Sequence, residues 1–77
     1  MSINPVLITK KRFIKMREVT ARTGLSRSSI YLKVKEGTFP KQLKLGERSR
    51  SMAWLESDID SWMDSIIAAR EFLKIVS

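Results

Sequence analysis

Cysteine and histidine are both missing from this chain of 77 residues. Without cysteine there can be neither a disulfide framework nor a thiolate zinc site. Without histidine, the commonest metal ligand and the commonest general acid–base are gone too. The carboxylates are scattered or sit where helix starts are expected, and no serine has a histidine to activate it. A catalytic constellation is therefore not visible, and neither an enzyme nor a cofactor is expected. Glycine and proline are scarce, with three and two respectively, so each marks a specific break in the chain. No apolar run approaches the ~20 residues of a membrane span, and no continuous apolar signal segment opens the chain; a cytoplasmic protein is expected.

What the chain has in quantity is positive charge. The net charge is +7, and its distribution is lopsided. Residues 1–50 hold thirteen Lys/Arg against three Asp/Glu, a balance of +10, whereas residues 51–77 hold two against five, a balance of −3. A basic region beside an acidic one suggests a face for a polyanion. The basic residues do not fall on one face of an amphipathic helix, which disfavours an anionic membrane surface and favours nucleic acid. At 43% hydrophobic residues, one small domain with a compact core is expected.

The chain is organised around VTARTGLSRSSIYLKVKEG, residues 19–37. Met16, Val19 and Thr20 recur at i, i+3 and i+4, predicting a first helix from about Met16 to Arg22 or Thr23 without a hydroxyl cap at its start. Gly24 can take the positive φ that ends it, Leu25 can pack beneath the turn, and Ser26 can cap a second helix running to Glu36, closed by Gly37. This is the sequence form of a helix-turn-helix, whose second helix enters the DNA major groove. Turning that helix by 100° per residue puts Ile30 and Val34 inward. Ser28, Leu32 and Lys35 fall opposite, flanked by Arg27 and Tyr31. Arg27 suits guanine or phosphate, Ser28 and Ser29 phosphate or base edges, and Tyr31 phosphate or a thymine methyl. Leu32 is apolar on this polar face and calls for a partner, either a thymine methyl or a second protomer.

Downstream, Phe39 before Pro40 should be extended. Two short runs flank the basic turn Gly46-Glu47-Arg48-Ser49-Arg50, predicting a hairpin with Leu43, Leu45, Met52 and Trp54 as candidate inward residues. Lys41, Lys44, Arg48 and Arg50 would line its solvent side and tip, as in a wing laid on phosphate or a narrow minor groove. A last helix is expected to be capped by Ser57, with Asp58 and Asp60 in its first turn and a core stripe of Ile59, Trp62, Met63, Ile66 and Ile67 packed across the earlier elements. Residues 1–12 read as a flexible basic arm ending in Lys10-Lys11-Arg12, although Val6, Leu7 and Ile8 could instead add a strand edge. Phe13-Ile14 reads as a single extended turn. Residues 71–77 read as an apolar extension with more apolar surface than one small core absorbs, so it either docks on its own domain or meets another protomer.

The run RFIKMREVTARTGLSRSSIYLKVKEGTFPKQLKLGERSRSMAWLESDIDSWMDSIIAAR, residues 12–70, resembles the AlpA family of phage-type regulators. It covers about three quarters of the chain. Three motifs in order carry the likeness: TGLSRSSIY from Thr23, EGTFPK from Glu36, and AWLES from Ala53 with Trp62 downstream. The resemblance implies a mainly α fold with a small β-hairpin, a winged helix-turn-helix of the kind seen in the MerR and excisionase group, spanning residues 13–70. It implies double-stranded DNA as partner, with Arg27, Ser28, Ser29 and Tyr31 in the recognition helix and Arg48 and Arg50 in the wing. It also implies transcriptional regulation of mobile-element genes, or an excisionase role beside a site-specific recombinase. Leu32, Lys35, Lys41 and Lys44 complete the expected contact set on the reading of the residues alone. The competing expectation is a protein-interaction module, such as a small antirepressor with a basic face.

Overall fold

In the computed structural model, residues 11–76 are described, with the backbone alone at 75 and 76. Residues 1–10, including Val6, Leu7 and Ile8 and most of the expected basic arm, lie outside the described residues, as does Ser77. The elements follow in the order β1 (Phe13–Ile14), α1 (Met16–Thr23), α2 (Arg27–Glu36), β2 (Leu43–Lys44), β3 (Met52–Leu55) and α3 (Glu56–Val76). The chain is thus mainly helical, with a three-stranded antiparallel sheet of order β1-β3-β2.

The two-helix unit forms where expected. Lys15 precedes α1 as its N-cap with no side-chain cap bond, and Gly24 ends the helix in the left-handed region at φ 76°. Ser26 caps α2: its Oγ accepts the Ser29 N–H at 3.1 Å. Gly37 closes that helix at φ 81°, and its N–H meets the Val34 carbonyl at 3.1 Å. A side chain at either glycine would sit in a backbone region that L-residues disfavour. Inward residues sort by the 3.6-residue period: Met16 and Val19 are buried on α1, and Ile30 on α2.

Phe13-Ile14 is a strand, not an isolated extended turn. It pairs with β3 in the register Phe13↔Leu55 and Ile14↔Trp54. Ile14 is buried, while Phe13 is 55% exposed on the other face, as strand alternation requires. This pairing also corrects the expected start of the last helix. α3 begins at Glu56, directly after β3, so Ser57 lies inside its first turn and is not the cap. The Glu56 amide, otherwise an orphan helix-end donor, goes to the Arg12 carbonyl at 2.7 Å; a backbone partner across the sheet does the work of a hydroxyl cap.

The core comprises Ile14, Met16, Val19, Ile30, Phe39, Trp54 and Ile59, with Leu25, Val34, Trp62 and Met63 packed around it. Two inward expectations fail for the same reason, which is its small size. Of the four hairpin candidates only Trp54 is buried; Leu43, Leu45 and Met52 are each over a third exposed. Ala53 and Trp54 are consecutive and both fully buried, so at that point the strand is covered on both faces and the hairpin beyond it outruns the core. Likewise the α3 stripe is buried at Ile59 and half-buried at Trp62 and Met63, but Ile66 and Ile67 are 51% and 55% exposed. At 1.5 Å per residue, Ile66 lies about 10 Å past Ile59 along the helix, and α3 has passed the elements it packs on. The expected apolar extension continues the same helix to Val76, with Phe72 exposed.

Candidate nucleic-acid interface

The described cations fall into two populations. Arg12 and Arg22 are committed. Arg22 reaches Glu18 at 2.7 Å, Glu56 at 2.5 Å and Asp60 at 3.4 Å, and Arg12 reaches Glu56 at 3.0 Å and Glu18 at 3.4 Å. This network ties α1 to the start of α3 and to the residue before β1. The Arg22 hydrogen bond, with the charges of Arg22 and Arg12 behind it, holds the Glu56 carboxyl below the usual carboxylate range despite partial burial. The same bonds to Glu56 and Glu18 raise Arg22 above its ordinary value.

The cations expected to meet nucleic acid belong to the other population, which enters no ion pair among the described residues. Arg27, Lys35, Lys41, Lys44, Arg48 and Arg50 are all exposed. They divide between two elements, with Lys41 on the segment that joins them. On α2, Ser28, Leu32 and Lys35 lie one above another at i, i+4 and i+7, with Arg27 and Tyr31 beside them. Leu32 and Tyr31 are 54% and 49% exposed, so the polar face with its apolar centre is fully presented. On the hairpin, Lys44 belongs to β2, and Arg48 and Arg50 sit in the tip, whose turn closes through Ser49 N–H to the Gly46 carbonyl (3.1 Å) and Leu45 N–H to the Ser51 carbonyl (2.9 Å).

Ser29 differs from the rest of the expected set. It is half-buried, and its Oγ accepts from the Ser26 Oγ at 3.1 Å while its N–H is the one Ser26 caps. Its first task is to hold the start of α2. Lys15 and Arg17, exposed at the start of α1, were not in the expected set; they border a shallow groove with Phe13, Ile14, Glu18 and Ala21. Among the described residues no cluster of three or more metal-ligating side chains occurs, and no helix is long and apolar enough to cross a membrane.

Between the two basic groups runs the connector, residues 37–42. Its Phe39 is buried and packs edge-on against two indoles, Trp54 at 6.1 Å and Trp62 at 4.7 Å between ring centroids. The Trp54 Nε1–H donates to the Pro40 carbonyl at 2.7 Å, and the Trp62 Nε1–H donates to the Thr38 carbonyl at 2.8 Å. Sequence reasoning placed both tryptophans in or beside the core but did not assign these bonds. The signal available was general: a buried indole N–H needs an acceptor.

Taken together, these features define a small, mainly helical domain with an uncommitted cationic surface on one helix and one hairpin. Residues 12–67 match the family described as Prophage CP4-57 regulatory protein (AlpA), and the chain belongs to that family. It is 44% identical to the uncharacterized protein ORF88 of Enterobacteria phage P4, over 83% of this chain and 70% of that one. It is 36% identical to the DNA-binding transcriptional activator AlpA of Escherichia coli K12, over 68% of this chain and 80% of that one. No solved structure gives a significant match.

Proposed function

We propose that the chain is a sequence-specific double-stranded DNA-binding regulator of a phage or mobile element, built as a winged helix-turn-helix. The observation that carries this reading is the pair of basic groups, one on α2 and one on the hairpin, that enter no ion pair among the described residues. α2 acts as the recognition helix in the major groove: Arg27 reads guanine or phosphate, Ser28 and Tyr31 meet phosphate or base edges, and Leu32 meets a thymine methyl. Lys41, Lys44, Arg48 and Arg50 lie along the backbone or minor groove as the wing. Membership of a family described as regulatory proteins, and a relative named a DNA-binding transcriptional activator, support the assignment. Bending DNA beside a site-specific recombinase, as an excisionase does, is a second role open to the same surface, because added backbone contacts offset the cost of deformation. The exposed Ile66, Ile67 and Phe72 on α3 bring neighbouring protomers together on DNA.

The test is a gel-shift and footprinting series on the DNA flanking its own gene. Arg27→Ala should weaken specific binding by about 1–3 kcal/mol, whereas Arg48→Ala should mainly reduce the salt slope by about 1. If both variants bind like the parent, or the parent shows no salt-dependent retention on DNA, the proposal fails.

A further inference from the structure

We infer that Trp62, on α3 and outside the candidate contact face, is a positioning residue that fixes the hairpin relative to α2 by clamping the connector between them. Residues 37–42 carry no helix or strand of their own, yet they join the end of α2 to the start of β2. What holds them helps to set the distance and angle between the two basic groups, alongside the pairing of β3 with β1.

At its α2 end the connector is held by the helix: the Thr38 N–H and Oγ1 both donate to the Lys33 carbonyl, at 2.8 and 3.3 Å. Beyond that point the holding bonds come from two other elements. Trp54, on β3, takes the Pro40 carbonyl, and Trp62, on α3, takes the Thr38 carbonyl. These two carbonyls flank Phe39, whose ring sits against both indoles. Trp54 therefore couples the connector to the hairpin's own second strand. Trp62 couples it to α3, whose start is bound to α1 through Arg22. Loss of Trp54 would empty the core, since it is fully buried. Trp62 is only half-buried, so its N–H can be removed while the fold persists. This inference rests on the proposed DNA reading only for its consequence in binding; the clamp itself is a property of the free protein.

The absence of cysteine permits a direct measurement. Spin labels on Ser28→Cys and Glu47→Cys report the α2-to-hairpin-tip distance in the free protein. The parent should give one narrow distance distribution, and Trp62→Phe, which keeps an aromatic ring against Phe39 but deletes the donor, should broaden it. Benzothienylalanine at position 62 keeps the bicyclic ring and lacks only the N–H; it should broaden the distribution likewise and covers the case in which Trp62→Phe does not stay folded. In unlabelled protein, Trp62→Phe should lower affinity for a duplex from the flanking DNA several-fold, because preorganisation is lost. It should also shrink the effect of Arg48→Ala, since an unpositioned hairpin contributes less. An unchanged distance distribution in a folded Trp62 variant overturns the inference, whatever the binding result. A parent that does not bind DNA overturns the proposed function instead and leaves the distance test decisive for the clamp.

Discussion

Ser26 is the place where stability and binding can be pulled apart. Its Oγ accepts the Ser29 N–H and donates to the Ser29 Oγ, both at 3.1 Å. Ser26→Ala deletes the cap, and N-cap losses of this kind cost about 1 kcal/mol, within a range of about 0.5–2. For a domain of this size each kcal/mol moves the melting temperature by roughly 4–8 °C, so a fall of that order is expected in thermal denaturation followed by circular dichroism. Ser26→Asp makes the sharper prediction. An aspartate caps as well as serine, and α2 has no acidic residue in its first turn, so the new charge also complements the helix dipole by roughly 0.3–1 kcal/mol. Melting should return to the parent value or above it. If α2 enters the groove by its N-terminus, the same carboxylate faces phosphate, and duplex affinity should fall although the protein is no less stable. Two results would refute the reasoning: Ser26→Ala melting within a degree of the parent, or Ser26→Asp binding DNA as tightly as the parent.

Acid should act through Glu56. Its carboxyl lies below the usual carboxylate range because Arg22 donates to it, so its folded pKa is lower than its unfolded one. Its stabilisation is therefore complete above the ordinary carboxylate range and lost as pH falls through the folded value. Melting temperature should drop more steeply from pH 6 to pH 3 in the parent than in Glu56→Gln, and parallel profiles would contradict this. The apolar stripe beyond the core gives the other expectation. Ile66→Gln with Ile67→Gln should leave the melting temperature nearly unchanged, because both side chains are already exposed, while reducing any concentration-dependent association seen by analytical ultracentrifugation.

The features written locally in the chain are the ones that sequence reasoning recovers. Positive φ at Gly24 and Gly37, the Ser26 cap and the 3.6-residue spacing of Met16, Val19, Ile30 and Ile59 each depend on a few neighbouring residues, so the two-helix unit was legible with nearly correct bounds and the last helix in its existence, though not its limits. Exposure of Arg27, Ser28, Tyr31, Leu32 and Lys35 followed from the same periodicity. Ser29 is the exception on that face, because its hydroxyl is occupied by the cap beside it. The extent of the core was not legible. Periodicity promised burial for Ile66, Ile67, Leu43, Leu45 and Met52, but burial requires a partner surface, and the small set of core residues is used up before the helix and the hairpin end. Nor was the start of α3: Ser57 has the chemistry of a cap, yet the Glu56 amide found the Arg12 carbonyl some forty residues away. By itself, then, the sequence determined the helices, their turns, the cationic face of α2 and the family. Tertiary structure decided which apolar residues are covered, which arginines are consumed in the Glu18–Glu56–Asp60 network, and how two indole N–H groups grip the connector. Those outcomes depend on distances between segments remote in sequence, and no local pattern encodes them.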